Sequence, residues 1–275
     1  MSIKNILLHM GNDQAHMERF EVAVDLAKQH RAHLEIAYLT SPAAMPAAIQ
    51  GRGASAAYIA EATAIAREKA EHVEQEVTAR CKAEKLRWTW EVLEGDHNAL
   101  LASRSFYADL IVVSEDHGWV FEDHVGLYGI DELVSHASCA VLVLPIGVPL
   151  PHIGKRVLIA WKDTLEASHA VRDAMPIIQA ADDVHVLTTD KPGERYTASA
   201  DLAEYLKRHG ITVQQESDVV ERGDVAKVIL SYAADLKTDL IVMGAYSRPR
   251  WREALLGGVT QDMLETCEVP IIMSH

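Results

Sequence analysis

The stretch EGDHNALLASRSFYADLIVV at residues 94–113 is repeated as RGDVAKVILSYAADLKTDLIVM at residues 222–243. Each copy has a Gly-Asp pair, then a stretch of helical periodicity, then an apolar run that follows Asp109 or Asp239. An apolar run without polar alternation is typical of a parallel strand that is covered on both faces. The repeat therefore indicates two homologous α/β halves within one chain.

The spacing between the two copies locates an insertion. The Gly-Asp pairs lie 128 residues apart, and so do Cys139 and Cys267. The starts of the two halves, residues 6–8 (ILL) and 157–159 (VLI), lie 151 residues apart. The first half therefore has extra residues between its second and third strands, and residues 41–86 are the predicted insertion.

Short apolar runs alternate with helical stretches in two predicted domains, residues 1–147 and 154–275, which a Pro- and Gly-containing linker joins. This alternation predicts an α/β fold of two homologous doubly wound domains, each a mainly parallel five-stranded sheet with helices on both faces. Asp96 and Asp224 precede helical stretches and are predicted N-caps. The predicted strands include residues 110–113 in the first domain and residues 157–161, 183–188, 211–215, 240–244 and 269–273 in the second.

Apolar residues at helical spacing mark three of the predicted helices. The apolar stripes of these helices are Met17, Phe20, Val24 and Ala27; Ala66, Ala70, Val73, Val77 and Cys81; and Val225, Val228, Ile229, Tyr232, Ala233 and Leu236. In addition, a flap followed by a helix is predicted for residues 41–58.

The composition excludes several classes of function. Among 275 residues, 40 are acidic and 26 basic, which gives a net charge of −14. Such a chain is a poor counterion for nucleic-acid phosphates or anionic lipids, so we expect neither nucleic-acid nor membrane binding. No apolar run has the length needed to span a bilayer, and three cysteines are too few for a disulfide framework. We therefore expect a reduced, cytoplasmic protein.

The segment after the fourth strand of the second half carries features that suit an anion. In a doubly wound sheet, ligands bind at the carboxyl ends of the strands. Residues 244–260 read GAYSRPRWREALLGGVT, with three arginines and a Gly-Gly pair before a predicted helix. Backbone N–H groups at a helix N-terminus and arginine side chains both favour a phosphate group. The sequence therefore predicts a phosphate site here.

With these residues in view, the chain resembles a tandem universal stress protein over nearly its whole length. Nucleotide-binding members of that family carry Gly-x2-Gly-x9-Gly followed by Ser or Thr. Gly244 and Gly257 match the first and third glycines, Ser247 replaces the second, and Gly258 replaces the hydroxyl residue. Where the family's first strand usually closes with Asp, Lys162 stands here, so one hydrogen-bond acceptor for adenosine is lost.

The resemblance implies an adenine nucleotide, ATP or AMP, in the second domain, with Mg²⁺ only alongside ATP. Adenosine would lie between residues 160–162 and Leu187, with the phosphates against the glycines and Arg250. The complete expected site is Ala160, Trp161, Lys162, Leu187, Met243, Gly244, Ser247, Arg250, Gly257, Gly258, Val259 and Thr260.

The first half departs further from the motif. Ser114 stands at the position of the first glycine, and Gly129 at that of the third. The intervening loop carries four acidic residues, and like charges there repel a phosphate. We therefore expect a degenerate nucleotide loop in this half. The acidic residues are Glu115, Asp116, Glu122 and Asp123.

Two other functions stay open at this point. The altered loops could pack shut and leave a nucleotide-free protein-interaction module, or a small apolar ligand could bind among Trp161, Trp251 and Leu255. No nucleophile-elbow or Walker-type motif is present, so the sequence predicts no enzyme, with slow ATP hydrolysis left open.

The remaining expectations concern histidines and partners. His9 and His185 fall in strands and are predicted to be buried, hydrogen-bonded core residues, and no metal site is predicted. Single domains of the family dimerise through their last strand. The resemblance therefore implies that residues 141–144 and 270–273 pair within the chain as a pseudo-dimer. An unknown protein partner and a homodimer of chains are further expectations.

Overall fold

A computed structural model describes residues 2–40, 55–114, 129–190, 198–220, 225–245 and 258–275. The first half contributes strands β1 Asn5–Met10, β2 His33–Thr40, β3 Arg87–Glu94, β4 Leu110–Ser114 and β5 Ala140–Leu144. Its helices are α1 His16–His30, α2 Ser55–Ala83, α3 His97–Arg104 and α4 Ile130–His136, with a 3-10 turn at Ser105–Tyr107.

The second half repeats this order of elements. Its strands are β6 Arg156–Trp161, β7 Asp183–Asp190, β8 Gln214–Val219, β9 Leu240–Gly244 and β10 Ile271–Ser274. Its described helices are α5 Leu165–Ile178, α6 Ala198–Arg208, α7 Val225–Asp235 and α8 Val259–Thr266. No helix in the described parts of the chain is long and apolar enough to cross a membrane.

The described strands form one sheet in the order β3-β2-β1-β4-β5-β10-β9-β6-β7-β8. Within each half all paired strands are parallel, whereas β5 and β10 are antiparallel, with Val143 opposite Ile271 and Val141 opposite Met273. This arrangement confirms the predicted doubly wound fold. It also gives the internal pairing of the last strands that the resemblance implies, so the sheet ends at β3 and β8.

Helices cover the sheet on both faces and create two apolar cores. One core packs α1, α2, α5 and α6 against the sheet, and the other packs α3, α4, α7 and α8. Each core contains residues of both halves, such as Leu142 and Ile272 in the first. The domain boundaries at 1–147 and 154–275 stay a prediction, because the sheet and both cores continue across the β5–β10 pairing between the two halves.

Several predicted elements can be compared directly with the structure. In the predicted stripes of α1 and α2, Phe20, Val24, Ala27, Ala70, Val77 and Cys81 are buried, whereas Met17, Ala66 and Val73 are only partly buried. In α7 the buried residues are Ala226, Ile229 and Ala233. Val225, Val228, Tyr232 and Leu236 of the predicted stripe are only partly buried, although they pack against the same core.

Two strand boundaries predicted from sequence were wrong. The third strand of the second half begins at Gln214 rather than residue 211, because Ile211 is buried in the turn after α6. The strand itself is a polar sheet edge, so its sequence lacks the apolar signal. The last strand begins at Ile271 rather than residue 269. Residues 41–54 of the predicted flap and the N-cap Asp224 lie outside the described residues.

A carboxylate secures the first strand of each half. Asp239 accepts hydrogen bonds from the backbone N–H groups of Gly154, Lys155 and Arg156, at 2.9–3.2 Å. Asp109 does the same for Lys4 and Asn5, at 2.7 and 2.9 Å. These two aspartates are the ones that precede the repeated apolar runs. The repeated Asp therefore ties the start of the fourth strand of each half to the chain entering the first.

We expect Asp239→Ala to lower the free energy of unfolding by about 1–2 kcal/mol, because three backbone donors lose a charged acceptor at a partly exposed site. Urea unfolding followed by circular dichroism measures this. Asp235→Ala is the matched control, since it removes the same charge from an exposed position at the end of α7. Equal effects of the two substitutions would contradict the role assigned to Asp239.

Candidate functional site

The centre of the second half brings three expected site residues side by side. Ala160 on β6 pairs with Leu187 on β7 at one side and with Met243 on β9 at the other. In a doubly wound sheet, the crevice for a ligand opens where the strand order reverses, outside the carboxyl ends of the strands. Here that point lies between β6 and β9. The strands therefore end at the place where the motif predicts a ligand.

The side chains of these residues divide between the two faces of the sheet. Leu187 and Met243 are 1 % and 5 % exposed and belong, with Ala160, to the core beneath α7 and α8. Trp161 is only partly buried and packs against the opposite core. The structure thus places Ala160, Leu187 and Met243 together. It sets Trp161 apart from them, so Leu187 and Trp161 do not line the same surface.

Trp161 leaves one polar atom without a visible partner. Its indole Nε1 is buried and has no hydrogen-bond partner among the described residues. A buried donor without an acceptor costs free energy, so such an atom is a place where a ligand or an ordered water is favoured. Lys162, the next residue, is exposed at the end of the same strand. The end of β6 therefore offers one hydrogen-bond donor and one positive charge.

Gly244, the first glycine of the motif, is held against the start of α5. A Cβ at this position would lie 2.4 Å from the Ala167 nitrogen and 2.7 Å from the Glu166 carbonyl carbon. Thr164 caps the same helix by accepting a hydrogen bond from the Ala167 N–H at 3.3 Å. Helix packing alone thus requires a glycine at residue 244. The sequence analysis explained Gly244 only as a phosphate-binding glycine and did not predict this packing against α5.

The start of α8 has the features of an anion site. Gly258 precedes the helix in an extended conformation that any residue can adopt, with φ −108° and ψ 135°, and no described side chain caps it. The first backbone N–H groups of a helix lack partners within the helix and point outward at its positive end. Gly258 and Thr260 are buried, and Val259 is partly buried. Because β9 and β10 are parallel, α8, which connects them, begins towards the carboxyl edge of the sheet, where β9 ends.

Part of the predicted site lies outside the described residues. Ser247, Arg250 and Gly257 belong to this part, as do Trp251 and Leu255 of the alternative apolar site. Their predicted roles therefore stay predictions. The described part of the expected site comprises Ala160, Trp161, Lys162, Leu187, Met243, Gly244, Gly258, Val259 and Thr260.

The corresponding edge of the first half has a different charge. Strand β4 ends in buried Ser114, and α4 begins after Gly129, whose φ of 66° lies in the left-handed region. The first turn of α4 carries Asp131 and Glu132. Two carboxylates at the positive end of a helix use the favourable dipole interaction themselves and repel a further anion. The described residues of this half thus form a poorer phosphate site.

In the first half, the end of β1 is surrounded by buried polar groups. Arg19 of α1 forms an ion pair with Asp13 at 2.7 Å, with side chains 1 % and 4 % exposed, and its Nε donates to the His9 carbonyl oxygen at 2.7 Å. His9 is fully buried, as predicted, and its ring meets that of His97. Sequence analysis did not single out Arg19 or Asp13. The one available signal was an arginine beside Phe20 on the apolar stripe of α1.

Other polar and thiol groups have structural roles. His185 is 5 % exposed and lies between Glu216 and Asp183, at 3.3 and 3.1 Å, which confirms its prediction as a hydrogen-bonded core residue. Burial raises the pKa of the Cys139 thiol to about 12 and that of Cys267 to about 11. Thiols with such pKa values are poor nucleophiles at neutral pH. Within the described ranges, no cluster of three or more metal-ligating side chains occurs.

We expect Gly244→Ala to lower the free energy of unfolding by about 2–3 kcal/mol, because its methyl group would overlap the backbone of α5. Chemical denaturation measures the change. Gly210→Ala is the comparison, since a Cβ there meets nothing within 4 Å and costs only the strain of a φ of +82°, about 1 kcal/mol. If Gly244→Ala cost no more than Gly210→Ala, the packing account of Gly244 would be wrong.

Comparisons with known proteins agree with this architecture. Residues 154–275 match the model of the Universal stress protein family. A universal stress protein from Archaeoglobus fulgidus DSM 4304 superposes with a TM-score of 0.75 at 16% identity, covering 98% of this chain and 97% of that one. A functionally unknown protein from Pseudomonas aeruginosa PAO1 gives 0.60 at 17%, covering 98% and 92%. No curated protein sequence matches the chain. The second half of the chain, residues 154–275, thus carries a universal stress protein domain.

Proposed function

We propose that this chain is a stress-response binding and signalling protein of the cytoplasm, and that its second half binds an adenine nucleotide, ATP or AMP. The family match of residues 154–275 supports the first part. One structural observation carries the second. The start of α8, which no described side chain caps, follows β9 at the carboxyl edge of the sheet, and this is the edge at which a doubly wound sheet binds its ligand. The first half is proposed as a second, degenerate domain of the same type.

Charge favours a phosphate at this edge over the corresponding edge of the first half. Lys162 is exposed at the end of β6, and the first turn of α8 contains one acidic residue, Asp262, against two in α4. The sequence between β9 and α8 adds Arg248, Arg250 and Arg252. We therefore propose one nucleotide for each chain, with Mg²⁺ only when the nucleotide is ATP. Binding would shift the population of surface conformations that a protein partner recognises.

We propose a binding role rather than turnover. No described side chain at this edge is placed as a general base: Lys162 is a cation, and Asp163, which follows it, is exposed. Slow hydrolysis of ATP stays open, and this reaction would require a residue that positions the attacking water. Association of two chains is likewise proposed only as an expectation.

A second candidate function is a nucleotide-free interaction module. The packing of Trp161 against the core and of Gly244 against α5 supports it, because both motif positions then have a purely structural cause. The orphan Nε1 of Trp161 favours a bound ligand instead. A small apolar ligand stays a third possibility that depends on Trp251 and Leu255.

Thermal unfolding with millimolar Mg-ATP or AMP separates these functions. A ligand at 100 times its Kd stabilises the folded protein by about 2.7 kcal/mol. For a chain of this size we expect Tm to rise by about 5 °C. An unchanged Tm with both nucleotides would contradict the nucleotide proposal and favour the interaction module.

Charge reversal at the end of β6 tests where the nucleotide binds. We expect Lys162→Glu to weaken nucleotide binding about tenfold, since a carboxylate near the phosphates repels them. Lys155→Glu is the matched control, because Lys155 is exposed just before the opposite end of the same strand. Calorimetric titration measures both Kd values. Equal weakening by the two substitutions would place the nucleotide elsewhere.

A further inference from the structure

Two buried imidazoles meet at the carboxyl end of β1 in the first half, away from the proposed nucleotide site. His9 lies on β1 and is fully buried, and His97, 7 % exposed, is the first residue of α3. The His9 Nε2 and His97 Nδ1 atoms are 3.3 Å apart, and the ring centroids are 5.4 Å apart. The outer nitrogens, His9 Nδ1 and His97 Nε2, are buried without a hydrogen-bond partner in the part of the chain that the structure describes.

The number of protons decides whether these rings attract each other. Two neutral imidazoles carry one N–H each, so one ring donates to the other across the 3.3 Å contact. One added proton buries a positive charge and leaves both outer nitrogens as donors without acceptors. A second added proton puts N–H groups on both inner nitrogens. The hydrogen bond is then lost, and two cations repel each other.

The charged neighbours of the pair do not relieve this cost. Burial lowers the pKa of His9 well below its usual value, and the nearby Arg19 cation and the His97 ring lower it further. Burial also lowers the pKa of His97, against the opposing effect of Asp96 and Asp13. Both carboxylates already have partners. Asp13 is bonded to Arg19, and Asp96 caps α3 by accepting from the Ala99 N–H at 2.8 Å.

The second half has no such pair at the equivalent positions. The offsets of the repeat place Ala160 where His9 lies and Val225 where His97 lies. Both residues contribute to the apolar core beneath α7 and α8. The imidazole contact is therefore a feature of the first half, and the chain itself supplies the residues for a control.

We propose that the His9–His97 pair is an acid-sensitive latch, which holds the start of α3 against β1 while both rings are neutral and releases it when they are protonated. The release would reach the next helix. The Asn98 side chain donates from Nδ2 to the Gly129 carbonyl oxygen at 3.2 Å, so the start of α3 also positions the start of α4. Acid would thereby alter the carboxyl edge of the first half, whether or not the second half binds a nucleotide.

The direction of the effect follows from proton linkage. Both histidines have folded-state pKa values below the ordinary value near 6.5, so the folded chain binds fewer protons than the unfolded one. The stabilisation of the folded state by the two neutral histidines is complete above about pH 6.5 and declines as the pH falls below that value. Each histidine changes the opening equilibrium by up to about tenfold per pH unit in that range.

Hydrogen exchange at pH 7.5 and pH 5.0 tests the latch, with protection factors corrected for the intrinsic rate at each pH. In the natural chain we expect the protection of α3, relative to the equivalent helix α7, to fall at least tenfold at pH 5.0. In His9→Ala/His97→Val, which carries the residues of the second half, the ratio of α3 to α7 protection should not depend on pH. His97→Gln, which retains hydrogen-bonding groups but does not titrate in this range, should reduce the dependence.

If the ratio of α3 to α7 protection in the natural chain were the same at both pH values, the proposal would be overturned. An equally large fall of this ratio in His97→Gln would also overturn it. If the double variant fails to fold, His97→Gln and direct NMR titration of the histidines in the natural chain still decide the matter. The proposal requires two histidines that stay neutral well below pH 6.5 until α3 loses its protection. Titration of every histidine near its ordinary value would overturn it.

Discussion

The antiparallel contact between β5 and β10 is the constraint on which the rest of the structure depends. Every residue of both strands is buried and all but Ser274 are apolar, so either one would be a hydrophobic sheet edge if its half stood alone. Their pairing joins two parallel sheets into one and moves the free edges out to β3 and β8. Those edges carry charged and polar residues, which protect a sheet from pairing with other chains.

The two halves share the features that build the sheet but differ in chemistry at its carboxyl edges. The features that build each half are repeated, namely the Asp109 and Asp239 contacts to the entering chain and the apolar fourth strand. The features at the carboxyl edge are not repeated. One edge has a buried histidine pair and acidic residues at the start of α4, and the other has Lys162 and a start of α8 that no described side chain caps. A shared scaffold thus presents two different sites, and we propose different ligands for them: a nucleotide and protons.

Much of the fold could be predicted from sequence, since it depends on patterns that are local along the chain. Buried parallel strands such as β4 and β9 are apolar at nearly every position, and the helical stripe of α1 is regular. The edge strand β8 was displaced by three residues in the prediction. One side of an edge strand faces solvent, so its residues carry little apolar signal, and the buried Ile211 before it looked like part of a strand.

The candidate site was less predictable, because its contacts join residues that are distant in sequence. Gly244 matched a phosphate motif, yet its close neighbours are Glu166 and Ala167, far away in the chain. Alternation along β6 sets Trp161 on the face opposite to Ala160 and its neighbour Leu187 on β7, which a list of motif residues does not reveal. The contact of His9 with His97 likewise depends on how α3 packs against the end of β1.

The two halves of one sheet differ in chemistry, and we propose a single nucleotide site, in the second half. Isothermal titration calorimetry of the intact chain with Mg-ATP counts the sites most directly. We expect a stoichiometry of one nucleotide per chain. Two equivalent nucleotides per chain would contradict the asymmetry of the halves, and no measurable binding at millimolar nucleotide would contradict the proposed site itself.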